Sequence, residues 1–252
     1  MRDDSLDTIF NGRLKLYQSR SGYRFSLDSV LLAHFATVRA TDRVADLGSG
    51  NGAVALMLAH LQPEIRVTGI ETQERMVERA RRNVRLNGCA DRVEMTRADV
   101  REVRRRFPPG AFTAVVSNPP YRRATSGRVS PDEEKRIARH ETCGNLADFL
   151  SAGAYLLPDG GRMALVYPAP RSVDLLAGMR AAGLEPKRVR LVYSRSGSSE
   201  ASLILAEGVK GGRSGTAILP PLHVYEREKH YTAEVAAMLA GSRIGAPATD
   251  AR

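Results

Sequence analysis

The 252-residue chain has no tryptophan, only six phenylalanines, and two cysteines, Cys89 and Cys143. Two thiols allow one bridge at most, and neither lies in a CxxC or histidine-containing pattern, so a disulfide framework and a cysteine-built metal site are excluded. Long apolar runs are missing too. The longest, Ala53–Ala59, is far short of the roughly 18 residues a membrane-spanning helix needs. The opening residues, Met1-Arg2-Asp3-Asp4, lack the apolar core of a secretory signal. The expectation is a soluble, cytoplasmic protein of a reducing compartment, with no membrane and no metal. Lysine is also scarce. Only five of the 38 basic residues are lysine, and against 28 acids the formal charge is +10. An arginine-rich surplus suits a polyanionic partner, because guanidinium forks match phosphate geometry. A GC-rich genome would produce the same arginine bias with no partner at all.

The remaining composition is ordinary: 42% apolar and 26% charged residues exclude a disordered or fibrous chain. Short apolar runs alternate with longer helix-period segments, the pattern of βα units around a mostly parallel sheet. Strands are expected at Arg43–Leu47, Ile65–Glu71, Val93–Thr96, Phe112–Ser117 and Arg162–Tyr167. Helices are expected at Ala53–His60, Gln73–Leu86, Asn145–Leu157 and Ser172–Ala182. Arg188–Tyr193 and Ser202–Ala206 are joined by a polar turn with no room for a crossover helix, which forces an antiparallel hairpin at the sheet edge. The fold class is therefore α/β: a Rossmann-like, doubly wound, mostly parallel sheet ending in an antiparallel hairpin. Residues 1–40 read as an N-terminal extension of short strands, one of them at Leu14–Gln18, and a helix capped by Ser26. Residues 41–240 form the main domain, Gly208–Gly215 a flexible loop, and residues 241–252 a disordered tail.

Four candidate sites fall at the carboxyl ends of successive strands, where open α/β sheets bind ligands. The first strand runs into Asp46-Leu47-Gly48-Ser49-Gly50-Asn51-Gly52. Such a glycine turn also fits a nicotinamide dinucleotide fingerprint loosely, but an aspartate ahead of the first glycine suits a ligand's ammonium group instead. Glu71 ends the second strand, where a carboxylate can accept both hydroxyls of a ribose. Asp99 and Val100 follow the third, placed to accept from an adenine amino group and to donate a backbone N–H to its ring. The fourth strand leads into Asn118-Pro119-Pro120-Tyr121. The Asn118 amide oxygen and the Pro119 carbonyl can accept the two hydrogens of a planar amine while Tyr121 stacks on its ring. Accepting both hydrogens frees the nitrogen lone pair for attack on an electrophilic methyl, so alignment and electrostatics suffice.

With these motifs in this order, residues 40–210 resemble class I S-adenosylmethionine-dependent methyltransferases of the amino-methylating branch. The resemblance implies that Asp46, Gly48, Ser49, Gly50 and Gly52 hold the methionine part of the cofactor. It places Glu71 on the ribose, Asp99 and Val100 on the adenine, and Asn118, Pro119, Pro120 and Tyr121 on the substrate amine, with Thr72 and Asn118 also among the cofactor-binding residues. Arg24–Leu32 and Ala138-Arg139-His140-Glu141 narrow the resemblance to a bacterial tRNA adenine-N6 methyltransferase family, which methylates a base next to the anticodon. In that family's pattern Phe25 and Asp28 close over the cofactor, although Asp28 also serves as an ordinary first-turn acid. A neighbouring family that methylates the glutamine amide of release factors shares Asn-Pro-Pro-Tyr, so the motif alone does not separate a tRNA from a protein substrate.

Between Tyr121 and the next core helix lies a polar loop, residues 122–144. Ser130-Pro131-Asp132-Glu133 predicts a helix there, standing over the cleft and carrying His140, whose plainest role is a structural hydrogen bond. Arg122 and Arg123 are candidate phosphate contacts for tRNA. Arg79, Arg81, Arg82 and Arg85, with Arg104-Arg105-Arg106, are further basic clusters that could extend such a footprint or simply coat a solvated surface.

Overall fold

The computed structural model describes residues 4–20, 24–120 and 144–242. In chain order the elements are β1 (Asp4–Ile9), β2 (Leu14–Ser19), α1 (Leu27–Phe35), β3 (Arg43–Leu47), α2 (Ala53–Leu61), β4 (Arg66–Glu71), α3 (Glu74–Leu86) and β5 (Val93–Arg97). A 3₁₀ turn follows at Val100–Arg105, then β6 (Ala114–Ser117), α4 (Leu146–Leu156), β7 (Arg162–Pro168), α5 (Ser172–Ala181), β8 (Leu184–Arg195) and β9 (Leu203–Lys210). The chain closes with β10 (Ala217–Ile218), β11 (Leu222–Arg227), β12 (His230–Tyr231) and α6 (Ala233–Leu239). Among the described residues no helix is long and apolar enough to cross a membrane.

The large sheet has the order β12-β11-β8-β9-β7-β6-β3-β4-β5. β3, β4, β5, β6 and β7 pair in parallel, while β9 runs antiparallel between β7 and β8. The expected hairpin is therefore β8–β9. It does not end the sheet: β11 adds to β8 in parallel and β12 closes against β11. The strand order reverses between β3 and β6, which pair through Leu47 and Ser117. At such a reversal the following helices leave to opposite faces and open a crevice at the carboxyl ends.

Two apolar layers enclose the sheet. Val44, Leu56, Val77 and Val84 belong to the layer under α1, α2, α3 and α6; Ile70, Phe149, Leu165 and Met179 belong to the layer under α4 and α5. The central parallel strands β3, β6 and β7 are buried on both faces, which is why they read as continuous apolar runs, whereas edge strand β5 exposes Glu94 and Arg97. α4 starts as expected, with Asn145 and Asp148 in a reciprocal capping box. Ser26 precedes α1 but makes no side-chain cap; its carbonyl accepts from the Ser29 N–H at 3.1 Å instead.

Of the short strands expected in the extension, β1 was not located in the sequence. It pairs with β2 along its whole length, and Ile9, Phe10, Leu14 and Leu16 of this hairpin join the same apolar layer as α2 and α3. Gly208 lies in a ladder rather than a flexible loop, opposite Met163 and Pro186, and β9 continues to Lys210. A Cβ there would stand 2.6 Å from the Met179 methyl and 3.1 Å from a backbone oxygen, so glycine is needed for packing. Of the expected tail, Gly241 and Ser242 close α6 through bonds to Met238 and Ala237 carbonyls, and the remainder lies outside the described residues.

Candidate functional site

The turn after β3 is wound on itself. Gly48 and Ser49 donate their N–H groups to the Ile70 carbonyl at 2.8 and 3.2 Å, and Gly52 donates to Ser49 at 2.9 Å. Gly50 donates to Glu71 Oε2 at 2.9 Å. Gly48 and Gly52 take φ of 71° and 82°, and a Cβ at Gly52 would meet Met95 Cε at 2.8 Å, so side chains are excluded there by both conformation and space. These four loop amides are thus already satisfied inside the protein. A dinucleotide pyrophosphate is bound by free N–H groups of such a turn. The turn here offers carboxylates instead.

Asp46 is fully buried on β3, with one carboxyl oxygen unpartnered among the described residues. Burial pushes its carboxyl up to about 7; a hydrogen bond from the Ala55 backbone opposes the shift, and repulsion from Glu71 adds to it. Glu71 is also raised, chiefly by burial, while the backbone N–H groups of Gln73, Gly50 and Thr72 pull it back. Two acids crowded into a low-dielectric crevice disfavour an anion and reward a cation. Glu71 Oε2 accepts from Gly50 and Oε1 from Gln73 at 2.8 Å, and with the Thr72 N–H also on the carboxyl a free lone pair remains for a ribose hydroxyl.

The next two strand ends adjoin this pair. Ala98 donates to the Glu71 carbonyl at 3.0 Å, bringing Asp99 alongside. Asp99 is an N-cap of the 3₁₀ turn and is gripped by Arg101: Oδ1 accepts from the Arg101 backbone and Nε at 2.9 Å, and Oδ2 from Nη2 at 2.6 Å. That guanidinium holds its carboxyl below the usual range. Val100 is buried in the layer under α4. On the other side of β3, Ser117 Oγ donates to the Leu47 carbonyl at 2.8 Å and Asn118 follows at once. The Asn118 amide oxygen is buried and unpartnered among the described residues, and Pro119 behind it is buried.

Phe25 is half-buried ahead of α1 and Asp28 is buried on α1. The hairpin connects this segment to the glycine turn through a residue that sequence reasoning missed, Gln18. Its Oε1 accepts from the Phe25 backbone at 2.8 Å and from Asn51 Nδ2 at 3.2 Å, while Nε2 donates to Asp7. Asn83 of α3, fully buried, completes the tie: Oδ1 accepts from Tyr17 N, and Nδ2 donates to the Tyr17 and Asn51 carbonyls at 3.1 and 3.0 Å. A polar glutamine in an otherwise alternating strand was the only available signal.

Tyr121, Arg122, Arg123, His140 and the helix expected from Ser130 lie outside the described residues. The basic clusters split. Arg79 is paired with Asp4 at 2.9 Å, Arg81 donates to the Met95 carbonyl, and Arg82 lies 3.5 Å from the centroid of Tyr17. Arg104 covers Tyr155 and Arg105 pairs with Glu102. Arg79, Arg81, Arg82 and Arg104 are thus engaged by the protein's own groups, whereas Arg105 makes its ion pair in solvent and Arg85 and Arg106 are exposed. Among the described residues no group of acids, histidines and cysteines could hold a metal ion.

Residues 26–171 match the family model described as "Methyltransferase small domain", more than half of the chain, a span that includes the strand-end residues Asp46, Glu71, Asp99 and Asn118. The chain belongs to the methyltransferase small domain family. Among relatives, it is 29% identical over 189 residues, 75% of this chain and 77% of the other, to a protein of Tolumonas auensis named tRNA1(Val) (adenine(37)-N6)-methyltransferase. A protein of the same name from Porphyromonas gingivalis is 34% identical over 164 residues, 63% of this chain and 64% of that one. Among solved structures, a "predicted O-methyltransferase" from Agrobacterium tumefaciens aligns with TM-score 0.69 at 25% identity, covering 86% of this chain and 96% of that one. As a member of the methyltransferase small domain family, the chain is an S-adenosylmethionine-dependent enzyme, and the acid-lined crevice suits that cationic cofactor.

Proposed function

We propose that this methyltransferase transfers a methyl group to the exocyclic N6 amine of an adenine in tRNA, next to the anticodon. The observation that carries the reading is the buried, unpartnered carboxyl oxygen of Asp46 beside Glu71, one strand away from the buried, unpartnered amide oxygen of Asn118. One strand end calls for a cation and its neighbour calls for a hydrogen-bond donor such as an amine. The names of the relatives supply the tRNA and the nucleotide.

S-adenosylmethionine supplies an electrophilic methyl group on a sulfonium. Asp46 holds its ammonium, Glu71 and Thr72 its ribose, and Asp99 and Val100 its adenine; Gly48, Ser49, Gly50 and Gly52 shape the turn around it, and Phe25 and Asp28 flank it. Asn118 and the Pro119 carbonyl accept the hydrogens of the substrate amine, and Pro120 fixes the backbone behind them. Tyr121 stacks on the base, and Arg122 and Arg123 contact phosphate. A base held there must leave its own stack. Residues 41–240 form the catalytic domain, 1–40 an extension that closes on it, and 241–252 a tail. The enzyme works in the cytoplasm, where tRNA is found.

The test is methyl incorporation from labelled S-adenosylmethionine into unmodified tRNA transcript and, in parallel, into release factor. N6-methyladenosine in the digested tRNA supports the reading. Label confined to a glutamine side chain of the protein would overturn it in favour of amide methylation.

A further inference from the structure

The strands that extend the sheet past the β8–β9 hairpin carry aromatic rings and free cations toward the same end of the molecule as the strand-end crevice. β7 runs parallel to β6, β9 reverses, and β8 and β11 point the same way as β6 again. The carboxyl ends of β8 and β11 therefore emerge on the crevice side. The register puts Val189 level with Ser117, so Tyr193 and Arg195 lie four and six residues past the end of β6. At about 4.8 Å between strands and about 3.3 Å per residue they stand about 20 and 24 Å from it, and Tyr225 about 28 Å.

Two ring pairs lie there. Tyr193 of β8 and His223 of β11 are register partners with ring centroids 5.5 Å apart, and Tyr225 of β11 stacks on Tyr231 of β12 at 4.9 Å and 19°. Tyr231 is exposed. Arg195 sits on the alternation shared with Tyr193 and lies opposite Tyr225, Arg227 follows a register shift at the end of β11 and pairs with His230, and Lys229 lies in the turn between β11 and β12. All three are exposed, and no ion pair engages them among the described residues. Arg190, on the opposite alternation, faces α6 and is held bidentate by Glu234 at 2.6 and 2.8 Å. Glu226 and Glu228, both exposed, are the acids nearest in sequence to Arg227 and Lys229.

We propose that this ledge, built from the ends of β8, β11 and β12, docks the RNA strand adjoining the target nucleotide. An exposed ring, Tyr231, at the end of a row of half-buried rings and beside unpaired cations matches the two elements of single-stranded nucleic-acid binding, base stacking and phosphate attraction. The distance back to the end of β6 equals about six to eight stacked nucleotides at about 3.4 Å each. The proposal rests on the tRNA reading above and deepens it, by assigning RNA contact to described residues of the C-terminal strands.

The experiment measures binding of an unmodified tRNA transcript by wild type, by Arg195→Ala/Arg227→Ala/Lys229→Ala and by Tyr231→Ala, across a salt series. S-adenosylhomocysteine affinity in the same samples reports an intact fold. The triple variant is expected to bind tRNA at least tenfold more weakly, with the slope of log K against log salt flattened by about 2, and cofactor affinity within twofold of wild type. Tyr231→Ala is expected to weaken tRNA binding about fivefold with the slope unchanged, and Tyr231→Phe to restore it. Variants that bind tRNA like wild type, while wild type still methylates it, overturn the ledge alone. If they instead change self-association in sedimentation with tRNA affinity intact, the ledge is a self-interface and the proposal also falls. A wild-type protein that neither binds nor methylates tRNA overturns the tRNA reading and the ledge together.

Discussion

Asp46 and Asp99 both belong to strand ends of one sheet, yet their surroundings are opposite. Asp46 is sealed in the interior, has a backbone N–H as its favourable contact, faces a second acid, and is pushed up to about 7. Asp99 is partly exposed and clasped by its neighbour Arg101, which holds it below the ordinary range. A buried carboxyl with an open oxygen is costly until a cation arrives. A carboxylate already chelated by arginine gains little from a further donor. The two residues type differs in nothing; packing decides that one awaits a ligand and the other is nearly self-sufficient. The free energy of holding the cofactor should therefore be concentrated at the β3 end of the crevice and thin at the β5 end.

Changes along the crevice should rank accordingly. Asn118→Ala should have the largest effect, lowering kcat by about 10²–10³ as removal of one positioned polar group does elsewhere, with cofactor affinity within threefold. Steady-state methylation and calorimetry on the same sample separate the two. Next, Asp46→Asn should weaken cofactor binding by about 10–100-fold, the range of a hydrogen bond to a charged group. Wild-type affinity should also rise with pH, about tenfold per unit, and level off above about 7 as Asp46 ionises, and Asp46→Asn should flatten that rise. The sign for folding is the reverse. Because the native carboxyl binds its proton more tightly than the unfolded one, the free protein should lose stability as pH climbs from about 4 to about 7, and Asp46→Asn should remove that loss in thermal melts.

Gln18→Ala leaves the Phe25 backbone N–H and the Asn51 amide without their acceptor. It should lower stability by about 1–3 kcal/mol and weaken cofactor binding about fivefold, because both flanks of the turn loosen. Asp99→Ala should be mildest, with cofactor affinity reduced less than threefold. A loss at Asp99 equal to that at Asp46 would break the comparison; equilibrium dialysis of both variants decides it.

Much of this contrast could not be read in the sequence. The strand-end positions of Asp46, Glu71, Asp99 and Asn118 were legible, since apolar runs and glycine turns have a local cause. That Asp99 is occupied by Arg101 was not, because an aspartate two residues before an arginine reads the same whether the pair forms or not. The hairpin tie through Gln18 and Asn83 joins residues 65 apart, and only tertiary packing brings them together. β1 escaped because Asp4–Ile9 mixes acids with apolar residues and gains its order from β2 and from Arg79. The final strands were invisible for a related reason: β10 and β12 are two residues each and exist only by pairing with longer neighbours. Gly208 misled outright, since glycine marks a turn in isolation but here answers to a methionine packed against it.

A crystal structure of the protein with S-adenosylhomocysteine tests the central claim most directly. The account predicts the ligand's ammonium within hydrogen-bond distance of the open oxygen of Asp46, its ribose on Glu71, and its sulfur turned toward Asn118. The ligand seated away from the ends of β3 and β6, or its ammonium in solvent with Asp46 still sealed, would contradict it.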